Sequence, residues 1–158
     1  ALEFASPAFV ADIGHDWQDP RALTEHGERE PTEPWAWAGP ARSVTGRTWG
    51  GCIEVVQWIL TAGRFPADPA VVQGGVLLLE SSEELIPARE FGFILRSLGE
   101  RGILAAVDAV VVARPPTSDF ETRPSADVRR ARRAEQRDVA IDVAGRYHPD
   151  AVVVGPLL

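Results

Sequence analysis

Glu80 is the first residue of this sequence that offers chemistry. It follows Val76, Leu77, Leu78 and Leu79, four apolar residues without alternation, with Gly74 and Gly75 ahead of them. A short unbroken apolar run bounded by turn residues predicts a strand buried on both faces. A carboxylate at the point where such a strand leaves the core stands where open α/β sheets bind ligands, beyond the carboxyl ends of the strands. A charged strand end also serves simply as the first polar residue of a loop. Gly50 and Gly51 form a second candidate, between a predicted strand over residues 42–49 and a predicted helix. Free backbone N–H groups and a helix dipole at such a junction suit an anion, although a tight turn needs the same two glycines. The Walker pattern Gly-x4-Gly-Lys-Ser/Thr is absent.

The remaining reactive side chains argue mostly for ordinary roles. Cys52 lies on an apolar stripe and reads as a small buried thiol rather than a nucleophile, which would need a neighbouring histidine and a polarised setting. Ser6, Ser43, Ser81, Ser82, Ser97, Ser118 and Ser125 all lack the Gly-x-Ser-x-Gly setting of a nucleophile elbow. Of His15, His26 and His148, the last precedes the final strand and reads as a surface-loop histidine. No His/Cys/Asp cluster has metal-ligand spacing, so no metal is expected. Arg129, Arg130, Arg132, Arg133 and Arg137 are interleaved with Asp127, Glu135 and Asp138, which predicts a solvated, ion-paired face.

Three helices and several short strands must position these groups. Residues 1–40 carry five prolines, many carboxylates and no sustained period, and read as a loop-rich leading segment packed through Trp17, Trp35 and Trp37. Cys52, Val55, Val56, Ile59 and Leu60 recur at helical spacing, and Gly63 ends that helix. Pro87 opens a second helix, whose buried stripe is Phe91, Ile94, Leu95 and Leu98. Residues 103–113 hold a further buried strand around Val110, Val111 and Val112. Ser125 caps a helix over 126–145, and 151–154 form a final strand. Apolar runs alternating with helical patterns place the chain in the α/β class, with a small, mostly parallel or mixed sheet flanked by helices.

The 158 residues are enough for one domain with a sizeable core. A net charge of −7 argues against a general nucleic-acid or anionic-membrane binder. No apolar run approaches the ~18–20 residues that span a bilayer, and no signal peptide is visible. A single Cys excludes an internal disulfide. All 16 basic residues are Arg, Met is absent and the chain starts at Ala1, which suggests a processed or excised piece.

Three segments resemble, in order and spacing, the C-terminal domain of the LD-carboxypeptidases. They are Arg47-Thr48-Trp49-Gly50-Gly51-Cys52-Ile53-Glu54, Gly75-Val76-Leu77-Leu78-Leu79-Glu80-Ser81-Ser82-Glu83-Glu84 and Leu95-Arg96-Ser97-Leu98-Gly99-Glu100-Arg101-Gly102. The family comprises serine peptidases that include muramoyl-tetrapeptide carboxypeptidase and the microcin-immunity peptidases. The resemblance implies a swivelling β/β/α-type domain over 41–158, led by linker-derived residues 1–40. It implies a Ser–Glu–His triad in which Glu80 matches the glutamate. The serine would belong to an N-terminal domain and the histidine to a turn after the last strand. Neither region is in this sequence, so the isolated chain is expected to be inactive.

The resemblance further implies hydrolysis of an L,D-peptide bond in cytoplasmic murein peptides, without cofactor or metal, by an enzyme that pairs as a homodimer. Trp35 and Trp37 would lie near the cleft as an aromatic wall, and Gly50 and Gly51 close to the glutamate, where they could take the substrate carboxylate. A microcin-immunity-type amidase acting on a peptidyl-nucleotide-like molecule is the near alternative. A non-catalytic module of the same fold, or a small-molecule binder using Gly50-Gly51 as an anion cradle, are the others.

Overall fold

The computed structural model describes residues 5–64 and 68–157. Its leading segment is more ordered than a loop. β1 (Phe9–Ala11) and β2 (Arg29–Pro31) pair antiparallel as a separate two-stranded sheet. β3 (Ala36–Ala38) belongs to the main sheet, where it runs antiparallel to the final strand. β4 (Thr48–Cys52) leads into α1 (Ile53–Thr61) and then β5 (Val76–Glu80). α2 (Ala88–Glu100) and the short α3 (Ile103–Ala106) lead to β6 (Ala109–Ala113), and α4 (Ala126–Tyr147) to β7 (Val152–Leu157). The main sheet has the order β3-β7-β6-β5-β4, with β4 to β7 mutually parallel. This is the α/β class with a mixed five-stranded sheet and flanking helices that the residue pattern predicts.

Local chemistry accounts for the helix limits. The Ser125 hydroxyl accepts from the Val128 N–H at the start of α4. Gly102, at φ 78°, takes the left-handed turn between α2 and α3. The stripe of α2 forms as spaced: Phe91, Ile94, Leu95 and Leu98 are all at most 1% exposed. Burying each such side chain is worth about 1.5–3 kcal/mol, so this helix is a principal contributor to the core.

The larger core cluster lies on one face of the sheet, and a smaller one, Ala109, Val152 and Val154, lies on the other. Leu77, Leu79, Val110, Val112 and Val153 pack with α1, α2 and α4 in one cluster. The alternate residues point the other way, and there Leu78 is 40% exposed. The expectation of a strand buried on both faces is therefore corrected: β5 is buried on its helix side and open on the other. Four parallel strands laid down in sequence order pack their helices in one layer, so the second face is covered only in part: Trp35 and Val44 pack on Ala109, Val152 and Val154, and the β4–β5 end stays open.

Other expectations shift. The strand over residues 42–49 begins only at Thr48 and runs on through Gly50 and Gly51 to Cys52. The two glycines thus lie within the strand instead of opening the helix. The buried residues of α1 are Ile53, Val56 and Leu60; Val55 is exposed and Cys52 precedes the helix. Residues 103–113 divide into α3 and β6, not one strand. Arg129 and Arg133 are not solvated: they are 8% and 2% exposed and bind carboxylates of the leading segment. Trp17 is 88% exposed, so little of it is available to pin the segment.

Candidate functional site

The open face of the sheet carries a depression of about 580 Å³ at the carboxyl ends of β4 and β5. Its lining includes Thr48, Gly50, Gly51, Leu78, Glu80 and Val111. The sequence therefore places three of its five candidates, Gly50, Gly51 and Glu80, around one cavity. Glu80 is the last residue of β5 and is exposed, and among the described residues its carboxylate has no hydrogen-bond or ion-pair partner. A carboxylate left free in a concavity is available to an incoming group.

Gly50 and Gly51 are required by the backbone. Their φ values are 139° and 134°, a region that side-chain-bearing residues rarely adopt. A Cβ on Gly50 would stand 1.8 Å from the Leu78 carbonyl oxygen across the strand pair. These glycines let β4 lie flat against β5 and keep the floor beside Glu80 free of side chains. They do not form a helix N-terminus. The first turn of α1 belongs to Ile53 and the residues after it, and Glu54 stands in that turn.

Trp35 and Trp37 lie on the same face but at the far edge. Their rings are 6.1 Å apart and tilted by 44°. Trp35 packs against Ala109, Val152 and Val154, and Trp37 is 62% exposed. The register puts Trp37 opposite Val154, Val154 opposite Val111, Val111 opposite Leu78, and Leu78 opposite Gly50. One row of residues on this face thus runs from the aromatic pair, through the buried Val154, to the glycine floor, with Glu80 one pleat further along β5. Three strand intervals separate Trp37 from Leu78, about 14 Å at the usual spacing. The aromatic pair and Glu80 share a face without touching.

A second group, which sequence reasoning assigned no role, stands directly behind Glu80. Cys52 is opposite Glu80 in the register. The Cys52 thiol donates to Glu54 Oε2 at 3.0 Å, and the Ser82 hydroxyl donates to Glu54 Oε1 at 2.9 Å. The Ser82 N–H donates to both oxygens, at 3.2 and 3.3 Å. Burial pushes the Glu54 carboxyl up, but the hydrogen bonds from Cys52, from its own backbone N–H and from Ser82 outweigh it and hold it below the usual range. Burial and the Glu54 carboxylate both push the Cys52 thiol up, so it is a donor and not a nucleophile. On the other side of the same loop, the Gln136 amide donates to the Ser81 hydroxyl at 2.9 Å. No spacing in the sequence gives Glu54 this role: it is the single acid of an apolar helix, 28 residues from its partner.

Among the described residues lining the depression there is no serine and no histidine. His148 caps the C-terminus of α4, and His15 lies 3.7 Å from Glu25. The described residues hold no group of three or more His, Cys, Asp or Glu that could bind a metal, and no helix long and apolar enough to cross a membrane.

Residues 45–149 match the family described as the LD-carboxypeptidase C-terminal domain. No curated protein matches the chain significantly in sequence. Among solved structures, it is similar to an MccF-like protein from Streptococcus pneumoniae in complex with AMP, with TM-score 0.73 at 20% identity over 96% of this chain and 43% of that one. It is also similar to the microcin C7 self-immunity protein MccF in complex with aspartyl sulfamoyl adenosine, with TM-score 0.66 at 14% identity over 98% of this chain and 40% of that one. The wild-type apo state of MccF gives the same TM-score and identity. The chain thus spans about 40% of the length of these structures and shares their fold over that part.

Proposed function

The chain belongs to the LD-carboxypeptidase C-terminal domain family, and on that premise we propose that it contributes Glu80 as the acidic member of a Ser–Glu–His triad. The serine comes from a preceding domain and the histidine from residues beyond the last strand. The serine Oγ attacks the carbonyl of an L,D-peptide bond as the imidazole takes its proton. The same imidazole returns that proton to the departing amine, and water then releases the acyl group from the serine. Glu80 accepts the second imidazole N–H, fixes the tautomer and stabilises the imidazolium. The observation that carries this reading is a carboxylate without a partner among the described residues, at the C-terminal end of a central parallel strand and inside a concavity. The substrate class is the tetrapeptide of cytoplasmic murein fragments in a bacterial peptidoglycan-recycling setting, the complete enzyme acts as a homodimer, and the isolated chain does not turn over.

One observation favours a second reading. The Trp35–Trp37 pair stands on the same open face at the end of the row that leads to Gly50. Such an aromatic wall suits a nucleobase, with Gly50 and Gly51 beside the acyl end, as a microcin-immunity-type amidase acting on a peptidyl-nucleotide-like molecule would need. A non-catalytic module of the same fold would leave Glu80 idle.

The test is the full-length protein, assayed on an L,D-tetrapeptide and on aspartyl sulfamoyl adenosine, beside its Glu80→Gln variant. Turnover on either substrate that falls by about 10⁴ in the variant is expected, since removing the orienting carboxylate of a triad costs that much. Which substrate is cleaved decides between the two hydrolytic readings. A variant within tenfold of wild type removes Glu80 from the triad, and no turnover on either substrate leaves the non-catalytic module.

A further inference from the structure

The loop that follows Glu80 is held more firmly than a connection needs. Its first residue, Ser81, accepts from Gln136, which is 3% exposed on α4. Its second, Ser82, is tied to Glu54 through both its N–H and its hydroxyl, and that hydroxyl also accepts from the Glu84 N–H at 3.2 Å. Further on, Leu85 is held at φ 53°, a left-handed conformation that a leucine adopts only under constraint. Strained backbone of this kind persists where its surroundings over-determine it, and it gathers at functional sites.

Among the described residues, Glu80 has no hydrogen-bond or ion-pair partner that could aim it. With no hydrogen bond on its carboxylate, the direction of its side chain follows from the backbone on either side. On one side that backbone is β5, laddered to β4 and β6. On the other it is Ser81-Ser82, and the strongest tie there ends on Glu54. Glu54 also holds the Cys52 thiol, and Cys52 is the β4 residue opposite Glu80. One carboxylate therefore joins the end of β4, the start of α1 and the residues just after Glu80. We propose that Glu54 is a positioning residue of this site: it fixes Ser82, and through Ser82 the direction in which Glu80 meets the catalytic imidazole. This inference rests on the role given to Glu80 above.

The experiment uses the full-length protein with Glu54→Ala, Glu54→Gln and Ser82→Ala, each followed by steady-state kinetics and a thermal melt. Glu54→Ala is expected to lower kcat by about 10²-fold with KM little changed, the effect of misplacing a catalytic group by about 1 Å. Glu54→Gln keeps a carbonyl oxygen for the Ser82 donors and is expected to restore kcat to within about tenfold of wild type. A purely structural role would lower the melting temperature without splitting kcat from KM and without rescue by Gln. Should Glu54→Ala fail to fold, Ser82→Ala answers the same question, with a loss in kcat of about tenfold expected from one charge-assisted hydrogen bond. Wild-type kcat in Glu54→Ala, or in Ser82→Ala where the former does not fold, overturns the proposal, as does a Gln variant as impaired as Ala. A wild-type protein that cleaves neither substrate overturns the triad reading itself, and this inference with it.

Discussion

At the scale of single residues, the two glycines beside Glu80 are equivalent in sequence and unequal in space. Both lie at φ values near the edge of what an L-residue tolerates, 139° for Gly50 and 134° for Gly51. The difference is what a side chain would meet. An added Cβ on Gly51 would meet no atom of the other described residues within 4 Å, its chain neighbours aside, whereas on Gly50 it would stand 1.8 Å from the Leu78 carbonyl oxygen. Gly51→Ala is therefore expected to carry only the conformational penalty, about 1–3 kcal/mol. Gly50→Ala adds to that penalty the displacement of β4 from β5, and is expected to cost more and to disturb the floor next to Glu80. Thermal melts of the two variants, side by side, check this. Equal losses would mean that the close approach to Leu78 is relieved without moving the strands.

At the scale of elements, the leading segment is clamped to the domain by charge. Arg114 binds Asp12 and Glu30, each at 2.9 Å, and Arg133 binds Glu33 at 2.7 Å and Glu30 at 3.2 Å. Arg129 adds Glu30 at 3.2 Å, and the Thr117 hydroxyl donates to Asp12 at 2.7 Å. Removing one partner of a buried ion pair strands the other, so Arg133→Ala is expected to cost about 3–5 kcal/mol. Arg130, four residues before Ala134 on the same helix, pairs with Asp127 in solvent, and Arg130→Ala is expected to cost under about 1 kcal/mol. Chemical denaturation of the pair of variants measures the contrast. The clamp is also sensitive to acid. Burial pushes the Asp12 carboxyl up, but Thr117, the Arg114 guanidinium and Ser118 outweigh it and hold it below its ordinary value. A lowered folded pKa gives stabilisation that is complete above the unfolded value, about 3.9. It is lost as pH falls through the folded value. Asp12→Asn should thus weaken the protein at pH 7 and reduce its further loss of stability below about pH 4. A variant with an unchanged acid profile would remove Asp12 from the clamp.

This clamp also shows where the sequence was legible and where it was not. α2 could be read directly, because its buried stripe is apolar and apolar periodicity is what a sequence displays. α4 could not. Its inward positions Arg129, Arg133, Gln136, Ala140 and Ala144 keep a helical spacing, but the first three are polar, so the buried face resembles a solvated one. Their partners lie about a hundred residues away, beyond any local pattern. Glu80, Gly50 and Gly51 could be singled out for the opposite reason, since a carboxylate ending an apolar run and a glycine pair are local signals, although the glycines lie within β4 and do not open α1. The tie from Glu54 to Ser82 joins two elements through side chains alone, and no spacing rule encodes it.

At the scale of the whole molecule, one face of the sheet is covered by helices and the other is open at its β4–β5 end, and that asymmetry can be measured within a single strand. Parallel strands are ordinarily buried on both faces. Here Leu77 is fully buried against the helices, and its neighbour Leu78 is 40% exposed above the depression. Leu77→Ala in the isolated chain is expected to cost about 2–5 kcal/mol, through lost burial and the cavity left behind. Leu78→Ala removes the same atoms from a half-open site and is expected to cost about 1 kcal/mol or less. Comparable losses would contradict an open face. Under the proposed function, the domain that brings the serine closes over this face to reach Glu80. In the full-length protein the cost of Leu78→Ala should then rise toward that of Leu77→Ala, whose surroundings do not change. A Leu78→Ala cost that stays the same in both contexts would mean that no second domain covers the depression, and would leave Glu80 without a cleft in which a triad could assemble.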